Sequence, residues 1–464
     1  MTAPLRALSS ATALPRALWN LAGPLLAGLA LVTSGWLYLR HGSANLPRIA
    51  TTDMRMHVDF DTFWRSAVAL RQHTPLYRTG ATLPNLDPPV LAVLLLPLAW
   101  LDVLTAFHVF ALLNAVLVVG SVIVVAVRLR VRQSWATMVV AALLLSAPLQ
   151  STVALGQVYG LLTAALTVAW VAEGRGRSGW AGVALGLAVA VKPSLAPLLL
   201  WPLGRGWWIS SRLRGAQLPP RGVVVPADPT PGSATPKKAR PCETTPGSPL
   251  ARHRSTRHAL VHQRWPTLGA ALGTGAVATA VGIVAAGWGA TVDWLRLLRA
   301  VRVSGFLDND SLAALAVRFH LPSWLGCLVA AGLLGITVYR ARRRPELALW
   351  SITAAALLLA PIAWNNYLVL LSPVVPVLLA AGRWRAALPL VALPVIGIEW
   401  VLLVPPGDPV LSRLAQSLYC GMLLVYWAVL TFGRAPVEPA AATDDWSAEL
   451  DDAWLAAPRE RLPL

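Results

Sequence analysis

Apolar residues fall in long runs along this chain, near positions 17–39, 88–101, 104–127, 136–155, 159–172, 180–203, 266–287, 322–339, 347–364, 367–382, 386–404 and 412–432. Most approach the roughly 20 residues that a helix needs to cross a hydrocarbon core of about 30 Å, and they lack the polar face of a soluble amphipathic helix. The pattern predicts an all-α polytopic membrane protein. Basic residues gather between the runs, at Arg128–Arg132, Arg175–Arg177, the stretch 204–265, Arg340–Arg344 and Arg383–Arg385. Positive-inside bias puts all five groups in the cytoplasm. That demands an odd number of crossings between residues 40 and 128, where two runs lie. The fourteen-residue run Pro88–Leu101 is then the one that does not span, and it reads as re-entrant or interfacial. Between Arg177 and Arg205 a single run must leave the cytoplasm and return. A helix broken at Lys192-Pro193 allows this, because proline removes a donor and disfavours helical geometry at the preceding residue. About twelve crossings result, with both termini inside.

Composition sharpens this picture. Of 464 residues, 56% are hydrophobic and only 13% charged, with a mean hydropathy of +0.60, so lipid is the solvent for most of the chain. The net charge of +18 is carried mainly in groups that flank apolar runs, which argues against nucleic acid as a partner. Cys242, Cys327 and Cys420 have neither the pairing nor the spacing of a disulfide framework or a zinc site. Arg6 and Arg16 precede an apolar run with no small-residue cleavage site after it, which reads as a retained first helix. The organisation expected is a membrane domain over 1–433 and an acidic cytoplasmic tail over 434–464 with seven Asp/Glu. The stretch 204–265, with eleven Lys/Arg, two acids and repeated Pro, Ser and Thr, reads as a disordered cytoplasmic loop able to touch anionic lipid.

The same topology leaves four polar segments on the outer face: 40–87, GQVYG at 156–160, 288–321, and WNNY at 364–367. Asp59 and Asp61 lie in the first, in an outer loop beside Phe60, Phe63 and Trp64, aromatics suited to an interface or to a sugar face. A carboxylate so placed can take a proton from an acceptor hydroxyl, or be only a solvated loop acid. Lys192 interrupts an apolar run at a cost of roughly 2.5–3.5 kcal/mol on insertion scales, so a functional role is its default reading and snorkelling the bland one. Gln157 and Tyr159 stand in a glycine-bracketed turn. Asp308, Asn309 and Asp310 are available as helix caps, and Trp364, Asn365, Asn366 and Tyr367 could form an interfacial belt. What distinguishes these weak signals is their convergence on one membrane face.

The string DFDTFWRSAVALRQHTPLYR followed by DPPVLAVLLLPLAWL resembles the opening of the polyprenol-phosphate-mannose-dependent mannosyltransferases of the GT-C class, glycosyltransferase family 87. GQVYGLLTAAL, AGVALGLAVAVKPSLAPLLL, NDSLAALAVRF and PIAWNNYLVLLSPVVP resemble successive blocks of that family, in its order, over about residues 55–380. The resemblance implies a GT-C-type glycosyltransferase fold. It puts the catalytic aspartate on Asp59 and makes Asp61 its neighbour. Trp64 and Tyr77 fall on the aromatic and tyrosine positions, Gln157 on the polar member of the GQ block, Lys192 on the lysine before proline, and Asn309 and Ser311 on the Asn-x-Ser block. Tyr159 departs from a common asparagine, Asp87 from an aromatic before Pro-Pro, and Asn365-Asn366, beside Trp364, from a histidine.

Inverting transfer of a hexose, mannose by the resemblance, from a polyprenyl-phosphate donor to a lipid-linked or cell-envelope glycan is therefore expected at the outer face. Asp59 would be the general base, and Lys192 would stabilise the leaving lipid phosphate, which needs charge compensation and no proton. No cofactor and no metal ion are called for. An arabinosyl or glucosyl donor is the nearer alternative, and a membrane transporter, which also uses broken helices and intramembrane charge, is the rival class.

Overall fold

The structure, a computed structural model, describes residues 14–41, 48–49, 51–203, 264–342, 344–397 and 409–433. Most of the basic stretch that begins at 204, and the acidic tail, lie outside the described residues. Arg264 and Trp265, counted with that stretch in the sequence, already belong to a helix.

Every named element among the described residues is helical, with no strand. In chain order the helices are α1 Leu14–His41, α2 Val58–Arg71, α3 Pro89–Leu94, α4 Val103–Arg128, α5 Gln133–Leu145, α6 Ala147–Leu155, α7 Tyr159–Gly174 and α8 Ser178–Val191. There follow α9 Arg264–Ala300, α10 Leu312–Arg318, α11 Ser323–Ala341, α12 Pro345–Leu359, α13 Val374–Ala380, α14 Trp384–Ala392, α15 Pro409–Gln416 and α16 Leu418–Phe432. Short 3-10 turns join several of them, notably Leu96–Trp100, Pro193–Leu199 and Asn365–Leu371.

Helix α4 shows how the chain meets lipid. Leu112, Val116, Ile123 and Val127 are exposed at helical spacing, while Phe107, Phe110, Asn114, Val118, Val122 and Val125 on the other side are buried. Apolar side chains cover the outside and polar ones such as Asn114 turn inward, the reverse of a soluble helix. Among the described residues α4, most of α9 and α11 are each long and apolar enough to cross a membrane, and the bent pairs α5/α6 and α15/α16 raise the number to five. Shorter apolar helices, α8, α12 and α14 among them, accompany these. The apolar helices fit a multi-pass membrane protein.

The run Pro88–Leu101 divides into α3 and the turn Leu96–Trp100, neither long enough to span. At the other suspected irregularity, α8 ends at Val191, Lys192 leaves helical geometry at φ −133° and ψ 87°, and a 3-10 turn starts at Pro193. Helix α8 lies along α9, and Gly182 and Gly186 make that approach close: a Cβ on either would come within 2.3 Å of the Thr267 or Ala271 carbonyl oxygen. Helix α9 itself kinks at Gly287, at φ +81°, where its apolar run ends.

Several helices have one end among arginines and the other among buried polar groups. Helix α4 starts near His57 and ends at Arg128, which lies within electrostatic reach of Arg175 at the end of α7. Helix α7 starts at Tyr159; α8 runs from beside Arg177 to Lys192. Near the start of α12, Arg344 interacts with Arg340, Glu346 and Arg383. The polar cluster and the Arg128/Arg175 end are thus separated by the length of α4, whose 26 residues extend about 39 Å.

Candidate active site

Asp59 and Asp61 lie in the first turn of α2, not in a loop. Phe60, Phe63, Ala67 and Leu70 recur at helical spacing and are buried, and carboxylates in a first turn suit the positive end of the helix dipole. Residues two apart on a helix are rotated by about 200°, so the two acids part company. Asp61 accepts both Nε contacts of Arg65, at 2.9 and 2.8 Å. Asp59 faces a different set of groups, Gln157, Lys192 and Asp87.

The turn carrying Gln157 is brought to α2 by Gly156. That residue holds φ +70°, and a Cβ there would lie 2.4 Å from the Phe60 Cβ. Glycine is required twice over, for the backbone and for the approach. Gly160 closes the same turn against α4, where its N–H donates to Asn114 Oδ1 at 2.9 Å. Gly156→Ala is therefore expected to destabilise the protein by roughly 2–4 kcal/mol and to draw Gln157 away from Asp59. Thermal unfolding in detergent and a transfer assay would both register it, and an unchanged melting temperature would contradict this packing. His57 fixes the start of α2 from the other side: its Nδ1 lies 2.6 Å from the Ala154 oxygen, its Nε2 lies 3.1 Å from the Thr51 oxygen, and its ring stacks on Phe107 at 3.7 Å.

Lys192 has an anion already. Its Nζ donates to Asp87 Oδ1 at 2.8 Å, and both side chains are largely buried. No acid lies near Lys192 along its own segment, and its resting partner is Asp87, 105 positions away in the chain. Two aromatic faces complete the surroundings, Tyr159 at 5.8 Å and Tyr367 at 5.6 Å, with the two rings 4.2 Å apart. Asp59, Gln157, Tyr159 and Lys192 thus come together as a cluster, to which the structure adds Asp87 and Tyr367.

Burial pushes the Asp59 carboxyl up to about 6; a hydrogen bond from Gln157 and the Lys192 charge pull it down, and the Asp87 charge adds to the rise. Gln157 is itself buried, and its Oε1 has no hydrogen-bond partner. Such a group is oriented by its neighbours yet open to one more donor.

The remaining candidates are knitted together beside this cluster. Asn309 is fully buried: its Nδ2 donates to the Ser304 and Pro361 oxygens, and its Oδ1 accepts from the Ala363 and Ser311 amides. Neither it nor the adjacent acids cap α10. Ser311 does, its Oγ accepting from the Ala314 amide at 3.1 Å. Trp364 bridges Asn309 through the backbone, and Asn365 accepts from Ser151 Oγ of α6 at 3.2 Å. The WNNY segment is therefore interior, and both side-chain amide atoms of Asn366 lack a partner. Burial also raises the carboxyls of Asp308, to about 6, and of Asp310. Two candidates serve the scaffold in this structure: Trp64 donates to the Leu98 oxygen at 3.2 Å, and Tyr77 donates to the Asp87 oxygen at 2.9 Å.

The family profile of glycosyltransferase family 87 matches residues 85–211 and 258–373, more than half of the chain. The chain belongs to glycosyltransferase family 87. The portion matched to the family includes Asp87, Gln157, Tyr159, Lys192, Asn309 and the WNNY segment, whereas Asp59 precedes it. Among curated relatives, a polyprenol-phosphate-mannose-dependent alpha-(1-2)-phosphatidylinositol mannoside mannosyltransferase of Mycobacterium tuberculosis (strain ATCC 25618 / H37Rv) is 31% identical over 214 residues. That stretch covers 41% of this chain and 46% of the relative, so the family 87 chain is matched over less than half of the relative's length. No solved structure matches the chain.

Proposed function

We propose that this family 87 protein transfers a hexose, mannose in the first place, from a polyprenyl-phosphate donor to a lipid-linked or cell-envelope glycan. The observation that carries the reading is the meeting of a carboxylate, Asp59, whose burial pushes it up to about 6, with Gln157 and the buried Lys192 ammonium in one cluster. Asp59 takes the proton of the acceptor hydroxyl as that oxygen bonds to the anomeric carbon. The bond from anomeric carbon to phosphate oxygen breaks on the opposite face, which inverts the anomeric centre, and the electron pair leaves with polyprenyl phosphate. The leaving group gains a full negative charge in this step. A cation at Lys192 therefore interacts more strongly with the transition state than with the donor. A general base with its pKa close to working pH also suits proton transfer. Gln157 orients the base, and Tyr159, Asn365 and Asn366 supply sugar contacts.

An apolar groove of about 280 Å³ supports a lipid donor, because Pro88 and Pro193 on its wall are the immediate neighbours of Asp87 and Lys192. Its other wall is α9, through Ala271, Leu272, Ala276 and Ile283. The relative's name supplies mannose, polyprenol phosphate and a mannosylated glycolipid as the first substrates to try. Membranes from an overexpressing strain, incubated with radiolabelled polyprenyl-phosphate mannose, glucose and arabinose in turn, test the reading; incorporation from mannose alone is expected, and incorporation from none of the three would defeat it.

The cluster faces the outer compartment in this scheme and the arginines the cytoplasm, with half-helices meeting at Lys192 and both termini inside. In a cysteine-free background, Thr52→Cys should label with an impermeant thiol reagent added outside intact cells, and Arg177→Cys should not. The reverse result would invert the topology.

A further inference from the structure

The functional reading gives Lys192 a task but says nothing of Asp87, whose carboxylate holds that lysine in the resting protein. We propose that Asp87 is a positioning residue, the resting counter-ion of Lys192, which the phosphate group of the donor displaces on binding. This rests on the proposed donor class and deepens it by naming what the donor must exchange.

Three features of the structure carry the inference. The loop bearing Asp87 is fastened without its carboxylate. The Asp87 amide donates to Asn85 Oδ1 and the Asp87 carbonyl accepts from Tyr77, both at 2.9 Å, while Asn85 is tied to Ser66 of α2 and Trp294 of α9 to the Leu86 carbonyl. The carboxylate is thus free to serve the ammonium, and it can swing while the backbone stays. Secondly, the Tyr159 and Tyr367 rings beside Lys192 attract a cation without neutralising it. Asp87 is the carboxylate paired directly with Lys192 in the absence of donor. Thirdly, two carboxylates, Asp59 and Asp87, already act on one ammonium. A phosphate entering beside them adds a further anion to a desolvated site with one positive charge. Full contact between that phosphate and Lys192 requires Asp87 to give way, because like charges at short range in low dielectric repel strongly.

The exchange makes a prediction opposite to that of a scaffold role. If Asp87 merely props Lys192 in place, removing its charge weakens phosphate binding. If Asp87 competes for Lys192, removing its charge strengthens it. The measurement uses the full chain in lipid nanodiscs with two probes, polyprenyl phosphate and the uncharged polyprenol of the same length. Asp87→Asn keeps an oxygen for the lysine to donate to, and should bind polyprenyl phosphate about tenfold more tightly than the parent. Lys192→Met should lose the preference for phosphate over alcohol. The double variant, Asp87→Asn with Lys192→Met, leaves no unpaired buried charge and should bind the two probes equally, a check that does not depend on how well Lys192→Met folds. Polyprenol should bind all forms alike. Weaker or unchanged phosphate binding by Asp87→Asn, alongside a parent that prefers phosphate, overturns the exchange and leaves the donor assignment standing. A parent that does not prefer phosphate to alcohol overturns the donor assignment itself.

Discussion

Asp59→Asn is expected to lower transfer by roughly 10²-fold or more, the scale of a lost general base, while the amount of protein in the membrane stays normal. The amide keeps the size of the side chain and its contact with Gln157 but cannot take the acceptor proton. Asp61→Asn should do much less, because Asp61 points elsewhere on α2 and is engaged by Arg65. The parent's pH profile carries the same information. With the Asp59 carboxyl pushed up to about 6, the base is ionised above that pH and protonated below it. The rate should therefore be level on the alkaline side and fall towards tenfold per pH unit below about 6, and the Asp59→Asn residual rate should lack that limb. Steady-state assays at saturating substrates check both statements. Equal rates for Asp59→Asn and the parent would remove Asp59 from the chemistry.

Lys192→Met is expected to cost about 3–5 kcal/mol of stability, the usual consequence of breaking a buried ion pair from one side, because Asp87 is left charged without a partner. Donor use falls with it. Lys192→Arg keeps a cation and should retain part of the activity, although a planar fork does not reproduce the point contact of an ammonium. Adding Asp87→Asn to Lys192→Met should restore most of the lost stability and none of the transfer. Apparent melting temperature, read by intrinsic fluorescence in detergent, separates the two effects. If the double variant melts no higher than Lys192→Met, the pair is not the energetic unit that its 2.8 Å contact suggests.

The helical membrane class was legible because lipid imposes a simple rule, that apolar residues cover long helices throughout. The meeting of Asp59, Gln157, Tyr159 and Lys192 was legible in part, through sidedness alone: arginines at one end of α4, α7 and α8 leave the other end for polar groups. What was missed has two physical causes. The segment around Asp59 reads as a loop because it is polar overall, although Phe60, Phe63, Ala67 and Leu70 carry the helical period that separates Asp59 from Asp61. The segment around Lys192 holds no acid to pair with it, and a buried charge in a helical bundle can be paired from another part of the chain. Asp87 is 105 positions away, and its signal was a lone acid immediately before a Pro-Pro membrane segment. Asn309 and Ser311 fell in a recognisable block, but only the fold reveals that their hydrogen bonds hold a cap and a backbone bridge.

Sugar is proposed to move from a lipid phosphate to an acceptor at the Asp59/Lys192 cluster. Purified protein in nanodiscs, supplied with a mannosylated glycolipid and either polyprenyl-phosphate [¹⁴C]mannose or a [¹⁴C]mannosyl nucleotide, tests it most directly. Label is expected to pass to the glycolipid from the lipid phosphate alone, with the anomeric configuration of the product opposite to that of the donor. Transfer from the nucleotide sugar, or no transfer from the lipid phosphate, would contradict it.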